Sequence, residues 1–444
     1  MVDIQNFGAR PGGEFDNTSA IQQALDSCAA AGGGTVRIGP GVWMSYTLYL
    51  HDNTTLHLEE GAVLLGGPDP LRYPEIGDNP WWIPARCSRL NRRTLIYAEH
   101  CRNVGITGRG TICGNAHAFT EVAMDAPQEL HLVWKRKDDR KIPGRALLFV
   151  ACSDVLLDEF KIENAAGWSL WMLDCERIQI NKLRIDGEMR LPNMDGIHLS
   201  ACRDAVIANC IIRSSDDALV LRSHQEQLFT PRPCERVTVS NCVLKSGSSA
   251  IRIGWSRDYA IRNCSFSHLI IEESFAGISI YLPEIAPVQF DPPRGPDCPT
   301  PPEKALPFSV ENIVFSHLIM ETQNGPFMIR LADDACCAGV RNIRLCDVDA
   351  VSGGYPFIRA AAKHGVREIL FDHCKFSIDP GHRNLERFAE FSDSMIFETV
   401  KDLHFEDVIW RRCCPVKPES DQLSYMKNQN HRLSRWYAPR LQGD

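Results

Sequence analysis

Cys152-Ser-Asp-Val-Leu-Leu157, Cys175-Glu-Arg-Ile-Gln-Ile180, Cys202-Arg-Asp-Ala-Val-Ile207 and Cys234-Glu-Arg-Val-Thr-Val239 are four versions of one phrase. Their cysteines stand 23, 27 and 32 residues apart. A second series, Asn209-Cys210, Asn241-Cys242 and Asn263-Cys264, follows the first within each unit. From about Leu95 to Ser377 the chain repeats a short apolar alternation, a turn, a second alternation and another turn. Alternation marks strands with one face inward, and a period of 22 to 32 residues gives one coil of a solenoid per repeat. A leucine-rich repeat would show a fixed Leu/Asn framework and a more regular period. The expected fold is therefore all-β, a right-handed parallel β-helix. Asn before a turn suits left-handed backbone geometry, and stacked Asn side chains can bridge coils.

The ends differ from the repeat. Ser19-Ala-Ile-Gln22 has capping-box spacing, and Ile21, Ala24, Leu25 and Cys28 fall on one helical face. A short helix here would cover the open first coil, with Gly32-Gly33-Gly34 stopping it before a strand at Thr35–Ile38. Asp402–Trp410 reads as the last strand. The expected organisation is one β-helix domain over residues 1–410, followed by a cap or tail over 411–444. Two loop insertions interrupt the coils, at 66–93 and 283–307, the second holding nine of the 27 prolines. Insertions of this length often wall a binding cleft.

The bulk composition narrows the function. With 444 residues, 44% of them hydrophobic, the chain can bury a sizeable core, and a solenoid grows by adding layers rather than new domains. A formal net charge of −8 argues against nucleic acid as partner. No run approaches the roughly 18 apolar residues of a membrane span. The first residues show neither a positive n-region nor an apolar h-region, so the expected location is cytoplasmic, or secreted if a leader has been trimmed. The 18 cysteines, many at equivalent points of the repeat, read as small buried thiols in their reduced form rather than as zinc ligands or a disulfide framework.

Two consecutive coils carry the chemistry: Asn193-Met-Asp195-Gly-Ile-His198-Leu199 and Asp216-Asp217-Ala-Leu-Val-Leu-Arg222. Alternation puts Ile197, Leu199, Leu219 and Leu221 inward, and His198, Val220 and Arg222 outward. Asp195 and the Asp216–Asp217 pair precede their strands by the same short step. Coils about 4.8 Å apart would bring the three carboxylates to one spot. Crowded like charges raise the pKa of at least one member, which leaves a proton donor beside ionised partners. Glycosidic hydrolysis needs that set, an acid for the leaving oxygen and a base for water.

These segments resemble the polygalacturonases of glycoside hydrolase family 28. Asn193-Met194-Asp195 is similar to that family's Asn-Thr-Asp motif, and Ser215-Asp216-Asp217 to its Gly-Asp-Asp. Phe7-Gly-Ala-Arg10, Ile106-Thr-Gly-Arg-Gly-Thr-Ile112-Cys-Gly114 and Asn164-Ala-Ala-Gly-Trp168 add weaker matches, so that the likeness runs over residues 3 to 380. The resemblance implies an inverting hydrolase with Asp216 as general acid, Asp195 and Asp217 activating water, and no metal or organic cofactor. Asn193 would orient the set or contact the sugar. Acid and base of an inverting site are expected roughly 6.5–9.5 Å apart.

Two family motifs are missing. Ser249 stands where the Gly-His-Gly histidine should fall, and Ser279-Ile-Tyr281 replaces the Arg-Ile-Lys that helps hold a galacturonate carboxylate. Arg222, Arg252, Arg330 and Arg359, each in an outward phase, form a candidate arginine column for gripping carboxylates instead. His198 and His224 are further candidates for contacting the sugar, and Trp168, Trp171 and Trp255 for offering it a flat face. The expected function is an exo-acting hydrolase of pectin-derived or related acidic oligosaccharides. The alternatives are a hydrolase of a neutral glycoside read by Tyr281 and Ser249, a polysaccharide lyase using calcium, and a non-catalytic carbohydrate-binding β-helix. The substrate is the one partner expected, and the sequence leaves the oligomeric state open.

Overall fold

A computed structural model describes residues 1–77, 92–122, 134–138, 141–224, 227–228, 230–255, 257–283, 306–382 and 395–413, and the backbone of 432–434. The chain winds as a right-handed parallel β-helix. One face is an eleven-stranded parallel sheet, in which Arg145–Val150, Trp168–Leu173, Ile197–Ser200, Leu219–Arg222, Ser249–Ile253, Ala276–Leu282, Phe327–Leu331 and Phe357–Arg359 lie on successive coils. The other faces form a continuous sheet of 22 strands. Strands pair with the coil before and the coil after, which satisfies their backbone groups without a hairpin.

The register explains why the repeat folds this way. Val36, Leu56, Ile106, Leu157, Ile180, Ile207, Val239, Phe266, Phe315, Leu345, Phe371 and Phe405 are successive Cα partners, all buried, so one apolar ladder runs the length of the molecule. Phe266 and Phe315 stack with centroids 4.9 Å apart. The corners repeat as regularly. Asn53, Asn103, Asn209, Asn263, Asn312 and Asn342 all have positive φ, and neighbouring amides hydrogen-bond between coils, as from Asn342 to Asn312 at 2.8 Å. The cysteines of the repeat are free and mostly buried, and Cys152, Cys175 and Cys202 follow each other on the corner ladder.

At the N-terminus a helix spans Thr18–Ala30 and buries Ala20, Ile21, Ala24, Leu25 and Cys28 against the first coil. It starts one residue before the expected cap. Asp16 accepts from the Thr18 amide, and Gln22 reaches out to Tyr49 instead of folding back on Ser19, so the capping-box pattern is not used. Gly33 is required here, because a Cβ would lie 2.6 Å from the Asn53 carbonyl oxygen at φ +133°. At the other end the expected strand over 402–410 is two strands, Lys401–Glu406 and Ile409–Arg412, broken by a turn in which Asp407 has φ 48°. Arg432–Ser434 pairs in parallel with His404–Glu406, adding backbone to the last coil. Residues 78–91 of the first expected insertion, 284–305 of the second, and most of the tail lie outside the described residues.

Candidate active site

The turns entering Ile197–Ser200 and Leu219–Arg222 set the site. Asn193 takes a left-handed conformation (φ 54°), which swings Asp195 onto the strand's leading edge. Gly196 donates its amide to the Asp217 carbonyl at 2.9 Å, and a Cβ there would sit 2.1 Å from the Ala218 carbonyl oxygen. Only glycine lets the two coils approach this closely. Beneath, buried Ser214 and Ser246 both donate hydroxyls to the Asp216 carbonyl, at 2.9 and 2.6 Å, which pins the turn carrying the aspartate pair.

The three carboxylates meet as the coil spacing predicts. One oxygen from each of Asp195, Asp216 and Asp217 lies within 4.8 Å of the others. Asp195 and Asp217 are buried, while Asp216 is half-buried. The Asn193 amide spans two of them, 3.0 Å from Asp195 Oδ1 and 3.4 Å from Asp216 Oδ2. Asp217 accepts from the Ser249 amide at 2.9 Å and from the Arg252 guanidinium at 2.7 Å. Asp195 faces His198 Nε2 at 2.9 Å. Burial, then the charges of Asp216 and Asp217, push the Asp195 carboxyl well above its ordinary value, against the pull of Arg145 and Arg252. Burial, then Arg145 and Arg222, push His198 well below its ordinary value, so the imidazole is neutral at pH 7.

Such oxygens are also the donors a divalent cation prefers, and among the described residues this is the one His/Cys/Asp/Glu trio close enough for that. Asp195 and Asp217, however, already have protein partners at both oxygens. The arrangement is suited to moving a proton. Its closest oxygens are nearer than the spacing expected of an inverting acid and base.

The outward residues of this sheet are less exposed than alternation suggested. His198 is 2% exposed and stacks on Trp168, centroids 3.6 Å apart. Arg145, on the preceding coil, lies 3.5 Å over the same indole, so Trp168 is already packed between two side chains. Trp171 is buried and donates to Ser200. His224 is half-buried beside Arg222. Arg222 does not reach for a ligand, because Asp258 takes its guanidinium in a bidentate pair at 2.7 and 3.0 Å, both side chains buried. Nor do the arginines form one column. Arg222 is the register partner of Ser200, Arg252 of Val220, and only Arg330 and Arg359 pair directly.

Sequence reasoning missed Arg145 and Asp258. Arg145 had a signal, since it stands two residues before the inward Leu147, as Asp195 stands two before the inward Ile197. Asp258 had none, lying 36 residues from its partner on another turn.

The sequence model of "Glycosyl hydrolases family 28" matches residues 87–282, the segment that contains the trio. Over that segment the chain is similar to glycosyl hydrolases family 28. The chain is 26% identical over 290 residues to a probable polygalacturonase of Vitis vinifera, covering 63% of this chain and 56% of the relative. It is 22% identical over 320 residues to an exo-poly-alpha-D-galacturonosidase of Dickeya chrysanthemi, covering 63% and 51%. The chain thus matches only about half the length of these relatives. A hyperthermoactive exopolygalacturonase from Thermotoga maritima has the same fold, with a TM-score of 0.69, 18% identity, and coverage of 92% of this chain and 91% of that one.

Where members of family 28 would carry a histidine, Ser249 offers Asp217 its backbone amide. Where they would carry a cationic pair, the Tyr281 ring lies 5.3 Å edge-on from Trp255. Arg252 and Arg330 lie 5.0 and 5.8 Å from that ring. Arg252 also covers Trp255 at 4.2 Å.

Proposed function

We propose that the protein is a glycoside hydrolase that removes sugars from an end of pectin-derived or related acidic oligosaccharides, with inversion. The observation that carries this reading is the trio itself: three aspartates on two coils, with an oxygen of each within 4.8 Å. Burial and the neighbouring charges raise the Asp195 carboxyl, so the cluster can hold a proton beside its other carboxylates. Asp216, the member least buried, meets the glycosidic oxygen and gives it a proton. Asp195 and Asp217 take one from the attacking water, and the shared proton returns to Asp216. Asn193 holds Asp195 and Asp216 to one amide while this happens. Exo action and acidic substrates are supported by the names of the Dickeya and Thermotoga proteins, and inversion by the family resemblance rather than by carboxylate spacing. A cytoplasmic enzyme of this kind would act on short imported oligosaccharides.

A second reading, a neutral glycoside as substrate, is favoured by one observation. Arg222 and Arg252, two of the cations suited to a uronate, are paired with Asp258 and Asp217.

Mass spectrometry and NMR of products from oligogalacturonides, rhamnogalacturonan fragments and neutral glycosides test both readings. The expected result is release of single residues from acidic substrates with inverted anomeric configuration. Turnover should fall roughly 10²–10⁴-fold in Asp216→Asn. Cleavage of neutral sugars alone would select the second reading. Unchanged turnover in Asp216→Asn, or an unsaturated product absorbing in the near ultraviolet, would overturn hydrolysis by the trio.

A further inference from the structure

Between the strands Thr111–Cys113 and Arg145–Val150 the chain leaves the coils. A helical turn, Ala116–Phe119, leads into Thr120–Val122, which pairs antiparallel with Trp134–Arg136 as a two-stranded ribbon. Phe119 roots the ribbon in the core, buried and edge-on to the Tyr73 ring. Trp134 and Arg136, two residues apart on one strand, share a face. Both reach the turn that carries Asn193. Trp134 Nε1 donates to Glu188 at 2.7 Å, and the His117 ring lies edge-on to the indole at 4.8 Å. Arg136 donates from one guanidinium nitrogen to the Pro192 carbonyl at 2.9 Å and to the Asn193 amide oxygen at 3.3 Å. The nitrogen of that same amide lies 3.0 Å from Asp195 and 3.4 Å from Asp216.

We propose that Arg136 is a positioning residue of the catalytic centre, holding the Asn193 amide and through it the relative placement of Asp195 and Asp216. The inference rests on hydrolysis by the trio and deepens that reading, whichever sugar is cleaved. A guanidinium only donates and an ionised carboxylate only accepts, whereas a primary amide accepts at one end and donates at the other. Asn193 therefore fits between them in a single orientation, oxygen toward Arg136 and nitrogen toward the aspartates. The nitrogen has two hydrogens and two carboxylates to receive them, so the amide orients the trio instead of reading the sugar. Donation from a charged group is stronger than from a neutral one, and it polarises the amide, which makes its N–H groups better donors. Arg136 also ties the backbone at Pro192, one residue before the left-handed conformation of Asn193. A residue outside the repeat thus holds a turn inside it.

The test measures kcat, KM and the pH profile of kcat/KM on trigalacturonate, or on the neutral glycoside that replaces it under the second reading. Wild type is compared with Arg136→Ala, Arg136→Lys, Asn193→Ala and the double variant Arg136→Ala with Asn193→Ala. Lys137→Ala is the control, because it removes a neighbouring charge of the same ribbon that bonds the Ala118 carbonyl at 3.0 Å. Arg136→Ala should lower kcat roughly 10- to 100-fold while KM changes less than about threefold. Arg136→Lys should recover part of that loss, and Lys137→Ala should match wild type. With the amide no longer held, the ionised carboxylates lose a donor, so the acidic limb of the profile should move to higher pH. Arg145, Arg252 and His198, which also face the trio, stay in place in every variant. Because Arg136 works through Asn193, the double variant should be no slower than Asn193→Ala. Losses that multiply in the double variant, an equal loss in Lys137→Ala, or a raised KM at unchanged kcat would each overturn the positioning role and leave the hydrolase reading standing. So would an Arg136→Ala protein with the melting temperature, rate and pH profile of wild type. If that variant does not fold, Arg136→Lys decides by the same rate and profile. If Asp216→Asn keeps full turnover, or wild type cleaves neither class of sugar, hydrolysis by the trio fails and takes this inference with it.

Discussion

Arg252 reaches back one coil to place a guanidinium nitrogen 2.7 Å from Asp217, with its side chain only 13% exposed and that of Asp217 only 7%. The same guanidinium covers Trp255 and Tyr281, so one residue links the carboxylate trio to the aromatic floor beside it. Removing one partner of a buried pair costs more than the pair contributes, because the other charge stays behind without compensation. Arg252→Ala should therefore destabilise the fold by roughly 3–5 kcal/mol. It should also lower kcat/KM by about 100-fold or more, since Asp217 loses its partner at the reacting centre. Denaturant unfolding and steady-state kinetics check the two effects separately, and Arg252→Lys should restore more stability than turnover.

Asp195 gives a prediction with a definite sign. Its carboxyl is raised in the folded protein, so folding is helped where the group is protonated in both states, and that help is lost as pH rises through the folded-state value. Replacing it with the uncharged amide removes the loss. Asp195→Asn should be the more stable protein at pH 7, and the advantage should vanish below about pH 4. Turnover should fall by roughly 10²–10⁴-fold. Thermal melts from pH 3 to 8 check this, and a constant difference across that range would contradict the assignment.

Arg222 should behave as a structural residue. Arg222→Ala leaves the buried Asp258 without its guanidinium partner, and should cost roughly 3–5 kcal/mol. The double change Arg222→Met with Asp258→Asn should cost less than the single one. The KM of the surviving folded enzyme should move less than twofold in either variant. A large rise in KM at unchanged stability would restore Arg222 as a substrate ligand.

Gly196 separates packing from chemistry. A methyl group there meets the Ala218 carbonyl and the Ile212 side chain, at 2.1 and 2.6 Å, so Gly196→Ala must push the coil of Asp195 away from that of Asp217. A shift of this kind near 1 Å is expected to lower kcat by about 100-fold. The coils above and below should keep their register, and hydrogen exchange can show that the loss of protection is confined to residues near 195 and 217.

The aspartates were legible in sequence because each precedes an alternating strand by the same step, and coil spacing then fixes their meeting. His198 was not, because alternation tells inward from outward but not whether something lies outside. Here Tyr97, Leu148, Trp171 and Leu228 form a second apolar layer over that face, which buries His198 and lowers its proton affinity. The cap helix was placed on its correct face from Ile21, Ala24, Leu25 and Cys28, yet its start was misjudged, because Asp16 competed for the first amides.

The sequence by itself determined the coil, its inward ladder, the Asn corners and the meeting of Asp195, Asp216 and Asp217, since all of these follow from period and from nearest-neighbour stacking. Only the tertiary structure decided what each cation does. Arg252 serves Asp217, Arg222 serves Asp258, and Arg145 lies over Trp168. The reason is physical: a long charged side chain takes its partner from whichever turn the coils bring within reach, and the lengths of those turns are not encoded in the repeat.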